Sequence, residues 1–357
     1  MALDVYIQGA GLISPQRTFG ENNFFQEISE YNDNVLRFIT PDFKQYVHPV
    51  KIRRMSTILK AGLAAAKMAA TEAALEMPDA IITSSGYGCI SDTSKFLIEI
   101  LGNKEKQLTP TFFMQSTYNA VGGTIAMEFG CNNYNTTYVH RGFAFENALD
   151  DAMMQIENQT NKRILLGAFD ETNSEQFVIA QRTGLHKRKL INNLQLFKSD
   201  GQGTFQGEGM AFFVLGAACT ASSYARVRGQ RTVYAPKSSE PIKAAILDLL
   251  KEHQLRTDDI DVVVNGSGGD DEKDQLLNQP VLQLFKGKDV FYKHLTGDFC
   301  TASAIGLWIG AQLIKTQKIP QALLQHPVEA SNIRHVLLLN HHWGKNCSIL
   351  LLSGIGV

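Results

Sequence analysis

The chain has 357 residues, with 44% hydrophobic and 19% charged side chains and a net charge of −1. That balance belongs to a folded globular protein and argues against disorder. Near-neutral charge removes the bulk electrostatic case for nucleic acid as the main ligand. The longest apolar runs fall short of the ~18–20 residues that cross a bilayer, so no membrane partner is expected. The N-terminal MALDVYIQGAG lacks a basic region followed by an apolar one, so no secretory signal is expected. Five scattered cysteines (Cys89, Cys131, Cys219, Cys300 and Cys347) form no CxxC. Neither a disulfide framework nor a zinc site is expected, and a reducing cytoplasm is the expected compartment.

In chain order, residues 5–7 read as a strand ending in a turn at Gly9-Ala10-Gly11. Residues 53–77 read as a helix whose small side chains predict close packing. A strand follows at 80–84, then a loop at 85–88, a helix over 111–130 and a strand at 136–139. A helix over 143–156 and a strand at 163–168 come next, and 169–203 is a polar excursion without a clear period. Strands are expected at 208–215, 224–228, 261–264, 290–292, 335–339 and 347–352, and helices at 241–253, 271–285 and 300–315. Alternating strands and helices predict an α/β fold with buried, largely apolar strands. No Pro- or Gly-rich linker divides the chain, so one compact rigid unit is expected.

Several chemistries are excluded by their missing residues. The third glycine of GxGxxG is Ser14, and neither GxxxxGK[ST] nor GxSxG occurs. No cofactor or metal is expected. His341 and His342 are adjacent, and on a strand they face opposite ways. One can then line a cavity while the other is a satisfied core or surface residue.

Six segments, in order, resemble the β-ketoacyl synthase family, the condensing enzymes of fatty acid and polyketide assembly. They are VYIQGAGLISPQ, FFMQSTYNAVGGTIAMEFG from Phe112, Asp200-Gly201 with Gly207-Glu208-Gly209, Val264-Asn265-Gly266-Ser267-Gly268, Lys293-His294-Leu295-Thr296-Gly297-Asp298, and Asn346 after Trp343-Gly344-Lys345. The resemblance implies a thiolase-like five-layer αβαβα fold of two related halves. The halves would span residues 1–216, with the excursion near 169–203, and residues 217–357.

The departures from the family pattern bear on function. The resemblance implies a cysteine at a strand-to-helix turn and two histidines. Here the turn is Tyr138-Val139-His140-Arg141-Gly142, with His140 or Val139 in the cysteine's place. Ser267 stands for one histidine and Asp298 for the other, while Lys293 is retained. A thiolate is what holds the acyl chain. Two histidine donors stabilise the enolate formed on decarboxylation, each worth ~2.7–4 kcal/mol. An ionised Asp298 only accepts hydrogen bonds and would repel that charge. Ordinary condensation is therefore not expected.

The chain resembles the cysteine-less chain-length-factor subunits of type II polyketide systems and the synthase-like subunits of aryl polyene and flexirubin clusters. The implied partners are an active ketosynthase in a heterodimer, or a second copy, and an acyl carrier protein. A second reading assembles His140, Ser267 and Asp298 into a serine thioesterase or acyltransferase. Cys300 and Cys89 read as buried structural thiols. Lys293 is expected to pair with Asp298. Arg141 is read as a binder of phosphopantetheine or of a carboxylate, or as an interface ion pair. His342 falls where the family has a gating phenylalanine. Glu208 is read as a structural anchor, and Phe112 and Phe113 as tunnel or interface aromatics or as plain core.

Overall fold

The structure, a computed structural model, describes residues 4–20, 24–159, 162–199 and 201–356. Asp200 of the third segment lies outside them. Ten strands form one sheet: β1 (Val5–Ile13), β2 (Ala80–Ser85), β3 (Tyr134–Val139), β4 (Arg163–Asp170), β5 (Gly209–Gly216), β6 (Ala225–Tyr234), β7 (Val262–Gly266), β8 (Asp289–Phe291), β9 (His335–His342) and β10 (Asn346–Ser353). The spatial order is β8-β7-β9-β10-β6-β1-β5-β4-β2-β3. Counted within each set of five, the strands run 3-2-4-5-1 from either edge, and the two sets meet at the antiparallel β1–β6 pair. In each set the first three positions pair in parallel and the last two join antiparallel. The same topology is thus written twice.

Among the described residues, nine α-helices have six residues or more: α1 (Thr57–Glu72), α2 (Ile90–Gly102), α3 (Pro110–Gln115), α4 (Ala120–Phe129), α5 (Ala144–Asn158), α6 (Ser174–Arg182), α7 (Glu240–Glu252), α8 (Asp271–Leu284) and α9 (Ala302–Thr316). Strand alternation sorts the core into layers. Ala80, Ile82, Ile164 and Leu166 face the same cluster as Val262, Val264, Val336 and Leu338, and α5 and α9 fill the space between. Ile81 and Leu165 face α1 and α4, while Val263, Leu337 and Leu339 face α7 and α8. The result is the five-layer thiolase-like arrangement, helix–sheet–helix–sheet–helix.

The first strand corrects one expectation. Gly9-Ala10-Gly11 is not a turn: β1 continues through it, with a register shift between Ile7 and Gly9. The glycines serve a close approach of α1. A Cβ on Gly11 would lie 2.1 Å from the Ala65 carbonyl oxygen, and one on Gly9 would lie 2.4 Å from that of Ala69. Gly11→Ala should therefore cost about 1–3 kcal/mol in overpacking, read as a lower midpoint in urea. An unchanged midpoint would mean that α1 can move away freely.

The expected 111–130 helix is two. Ser116 and Thr117 turn their hydroxyls back onto the Phe113 and Met114 carbonyls and end the first, as serine and threonine commonly do. Left-handed Gly130 closes the second. Helix α2 is not anticipated from sequence. The polar excursion holds α6 and a 3-10 helix at Asn193–Lys198.

Candidate functional site

His140, Ser267 and the Lys293–Asp298 segment follow the C-terminal ends of the parallel strands β3, β7 and β8. They do not form one constellation. His140 follows β3 at the start of a 3-10 turn and is exposed, its ring stacked on Phe143 at 5.9 Å. Arg141 is also exposed, with a left-handed φ of 40° and its guanidinium 5.8 Å from the Tyr87 ring centre. Ser267 is buried beyond β7, and its hydroxyl is engaged by Asn265 Oδ1 and Asn278 Oδ1, both at 2.9 Å. The expected Ser267/His140/Asp298 triad is therefore not assembled. The serine lies within a carboxamide network, and the histidine sits on the outer surface.

Asp298 gathers a different group. Its Oδ1 lies 2.7 Å from Lys293 Nζ, and both side chains are at most 2% exposed. The expected ion pair is present. Lys293 also donates to the His341 carbonyl at 2.6 Å. Asp298 Oδ2 accepts from His342 Nδ1 at 3.1 Å, and His342 Nε2 lies 3.6 Å from Cys300 Sγ. Burial opposes ionisation of Asp298, but the Lys293 ammonium and His342 outweigh it and hold the carboxyl well below the usual carboxylate range. A charged Asp298 fixes the proton of His342 on Nδ1, which leaves the Nε2 lone pair directed at sulfur.

Two local features bring this relay together. Residues 297–301 leave the short helix Lys293–Thr296 through left-handed Gly297 and enter α9, so Asp298 and Cys300 flank one bend. His342 ends β9, the strand beside β7, and Trp343 after it stacks on its ring at 4.2 Å. The neighbouring His341 faces away and meets Asp274 Oδ1 at 2.8 Å. The adjacent histidines thus divide as strand geometry requires.

A cavity of about 250 Å³ opens on this relay. Asp298, Cys300, His342, Trp343, His186 and Gln206 are among the side chains lining it. Gly86 makes room for the thiol: a Cβ there would lie 2.2 Å from that of Cys300. Asp170, at the end of β4, anchors the neighbouring loops, accepting from Gly86 N–H, Ser85 Oγ, Thr301 N–H and Thr301 Oγ1. Burial pushes Glu171, in the same wall, up to about 7. Glu208 accepts from the Phe38 and Thr172 amides and lies 3.7 Å from Arg37, an anchor rather than a reacting group.

Cys300, His342 and Asp298 are expected from sequence in three separate roles, because no sequence pattern links Cys300 to His342. Their partnership depends on the sheet placing β9 beside α9. No cluster of histidines, cysteines and carboxylates among the described residues has the form of a metal site. No helix among them is long and apolar enough to cross a membrane.

The second region lies at the edge of the sheet. Among the described residues β3 pairs only with β2, so its other side is open. Phe113, Met114, Tyr118 and Val139 are 57%, 61%, 56% and 38% exposed. Phe113 packs on Phe96 at 5.4 Å, and Phe112 is half-buried. Neither phenylalanine is plain core.

Comparison with known proteins bears on the fold. Residues 39–190 match the family model "Beta-ketoacyl synthase, N-terminal domain". A search of curated proteins gives no significant match. Among solved structures, the chain is similar to "The ishigamide ketosynthase/chain length factor", at 19% identity and TM-score 0.78, with all of both chains covered. It is also similar to a chain of the type II complex "AntDE:AntF", described as an acyl-carrier protein bound to its ketosynthase, at 14% identity and TM-score 0.79, covering 99% of this chain and 100% of that one. A third is a chain of the ketosynthase ApeO in complex with its chain length factor ApeC from Xenorhabdus doucetiae, at 14% identity and TM-score 0.76, covering 99% and 98%. At these identities the structural likenesses speak for the fold alone.

Proposed function

We propose that this chain, a β-ketoacyl synthase family protein by its domain at residues 39–190 and by its fold, is a non-condensing partner subunit of an active ketosynthase. The observation that carries the reading is the turn after β3. Where the family pattern calls for a cysteine, His140 stands exposed beside an edge strand with one open side and an apolar surface. Exposed apolar surface of this kind marks interaction sites, and an open strand edge invites pairing. The partner that fits is a ketosynthase retaining its own nucleophile, and the assembly would work on acyl groups held by a carrier protein. Phe112 and Phe113 would then face the partner's acyl tunnel and help to set product length. Two similar structures, which pair ketosynthases with chain length factors, support this reading.

The test is co-expression with such a ketosynthase. Co-elution is expected, and Val139→Glu should weaken it at least tenfold, about 1.4 kcal/mol, by burying an unpaired charge. Phe113→Ala should lengthen or blur the product distribution while condensation continues. Separate elution, with the synthase making the same products alone, would refute the proposal.

A further inference from the structure

We propose that Cys300 is an acyl-accepting nucleophile with His342 as its base, a thioester-reactive site distinct from the turn at His140. The geometry has three parts. The thiol lies 3.6 Å from His342 Nε2, and His342 Nδ1 is held by Asp298 at 3.1 Å. Cysteine, histidine and carboxylate thus stand in line, each within reach of the next, in the order that activates a nucleophile. The group opens on a cavity instead of solid core, and Cys300, His342 and Asp298 all line it. Two further lining side chains, His186 and Gln206, are polar and more than nine-tenths buried. They give part of the cavity wall a polar character.

Cys300 also lies just before the N-terminus of the fifteen-residue helix α9, where the helix dipole favours developing negative charge. Burial, reinforced by Asp170 and Asp298, holds the resting thiol protonated. Proton transfer to His342 therefore accompanies attack. The cavity, at about 250 Å³, is smaller than the ~300–1,000 Å³ of most ligand pockets, so a short acyl group is the occupant that fits.

In the first step His342 Nε2 takes the S–H proton and Cys300 Sγ attacks the thioester carbonyl carbon. The bond from that carbon to the donor sulfur breaks, and the imidazolium returns the proton to the leaving thiolate. In the second step water gives a proton to His342 and its oxygen attacks the acyl-Cys300 carbonyl. Cys300 leaves as thiolate and is reprotonated. The sum is thioester plus water giving acid plus thiol, with no oxidant or cofactor. His342 touches the reacting sulfur, and Asp298 is a positioning residue.

The inference does not depend on a synthase partner, so its test uses the full chain alone. Incubation with acetyl-N-acetylcysteamine, followed by peptide mass spectrometry, should show an acetyl group on the Cys300 peptide. His342→Gln should slow its appearance at least tenfold, and Cys300→Ser should remove the thioester. Acetylation confined to exposed Cys219, or an unchanged rate in His342→Gln, would overturn the proposal. A second measurement needs no variant. A small methanethiosulfonate reagent on the native chain should modify Cys300 faster than Cys89 and Cys347, which are also buried. Equal protection of all three would count against the site.

Discussion

Asp298→Ala is expected to remove about 3–5 kcal/mol of folding stability, the usual result of leaving one member of a buried ion pair without its partner. Lys293 is fully buried, and Asp298 is its only carboxylate partner among the described residues. The remaining contact, to the His341 carbonyl, does not neutralise the ammonium. Asp298→Asn should cost nearly as much, because it keeps the volume and loses the charge. The paired change Lys293→Met/Asp298→Leu should recover most of the loss, since apolar replacement of a whole buried pair is often neutral. Urea denaturation of the four proteins decides the matter. Equal losses in the single and paired variants would mean that packing, not charge, holds residues 293–298 in place.

The second large effect depends on pH. His294 is buried, with Nε2 donating to the Ala322 carbonyl at 2.8 Å, and burial lowers its pKa from 6.5 to about 4. The folded form therefore refuses a proton that the unfolded chain accepts. The contribution of this group is fully present above the unfolded pKa of 6.5 and is lost progressively as pH falls toward 4. The loss amounts to roughly 3 kcal/mol, from 1.36 kcal/mol per pKa unit. His294→Gln keeps a donor for Ala322 and cannot be protonated. Relative to wild type it should gain about 2–3 kcal/mol between pH 7 and 4.5. His186, also lowered to about 4 by burial, acts in the same direction. Glu171, raised to about 7, acts in the opposite one, because its contribution is full below 4.5 and lost as pH rises through 7. The difference between wild type and variant isolates His294, and a flat difference would show that its ring takes up a proton in the folded state.

Much of the architecture was legible in the residues. Apolar runs such as VVV at 262–264 and HVLLL at 335–339 cannot face water on either side, so they required a sheet covered on both faces. Small residues in α1 announced its close packing, although the partner surface, the glycines of β1, was misread as a turn. Local chemistry cannot distinguish a glycine that bends the chain from one that admits a neighbouring helix. Helix α2 went unread, and Leu97, Ile98 and Leu101 on it are more than half exposed. Its apolar residues recur at helical spacing, but none of them is buried in the core of this chain.

The site divides along the same line. Sequence by itself determined the family resemblance, the absence of a cysteine at the turn 138–142 and the presence of Lys293 and Asp298, five residues apart and able to pair. Those are properties of neighbouring residues, and neighbours in the chain remain neighbours in the fold. Tertiary structure alone decided that Ser267 is held by Asn265 and Asn278, that His140 lies outside, and that Cys300, His342 and Asp298 meet at a cavity. Cys300 and His342 are 42 residues apart, separated by α9 and β9, and only the packing of that helix against that strand brings them together. A thiol's role is set by what lies within a few ångströms of its sulfur, and in this chain that environment comes from segments distant in sequence.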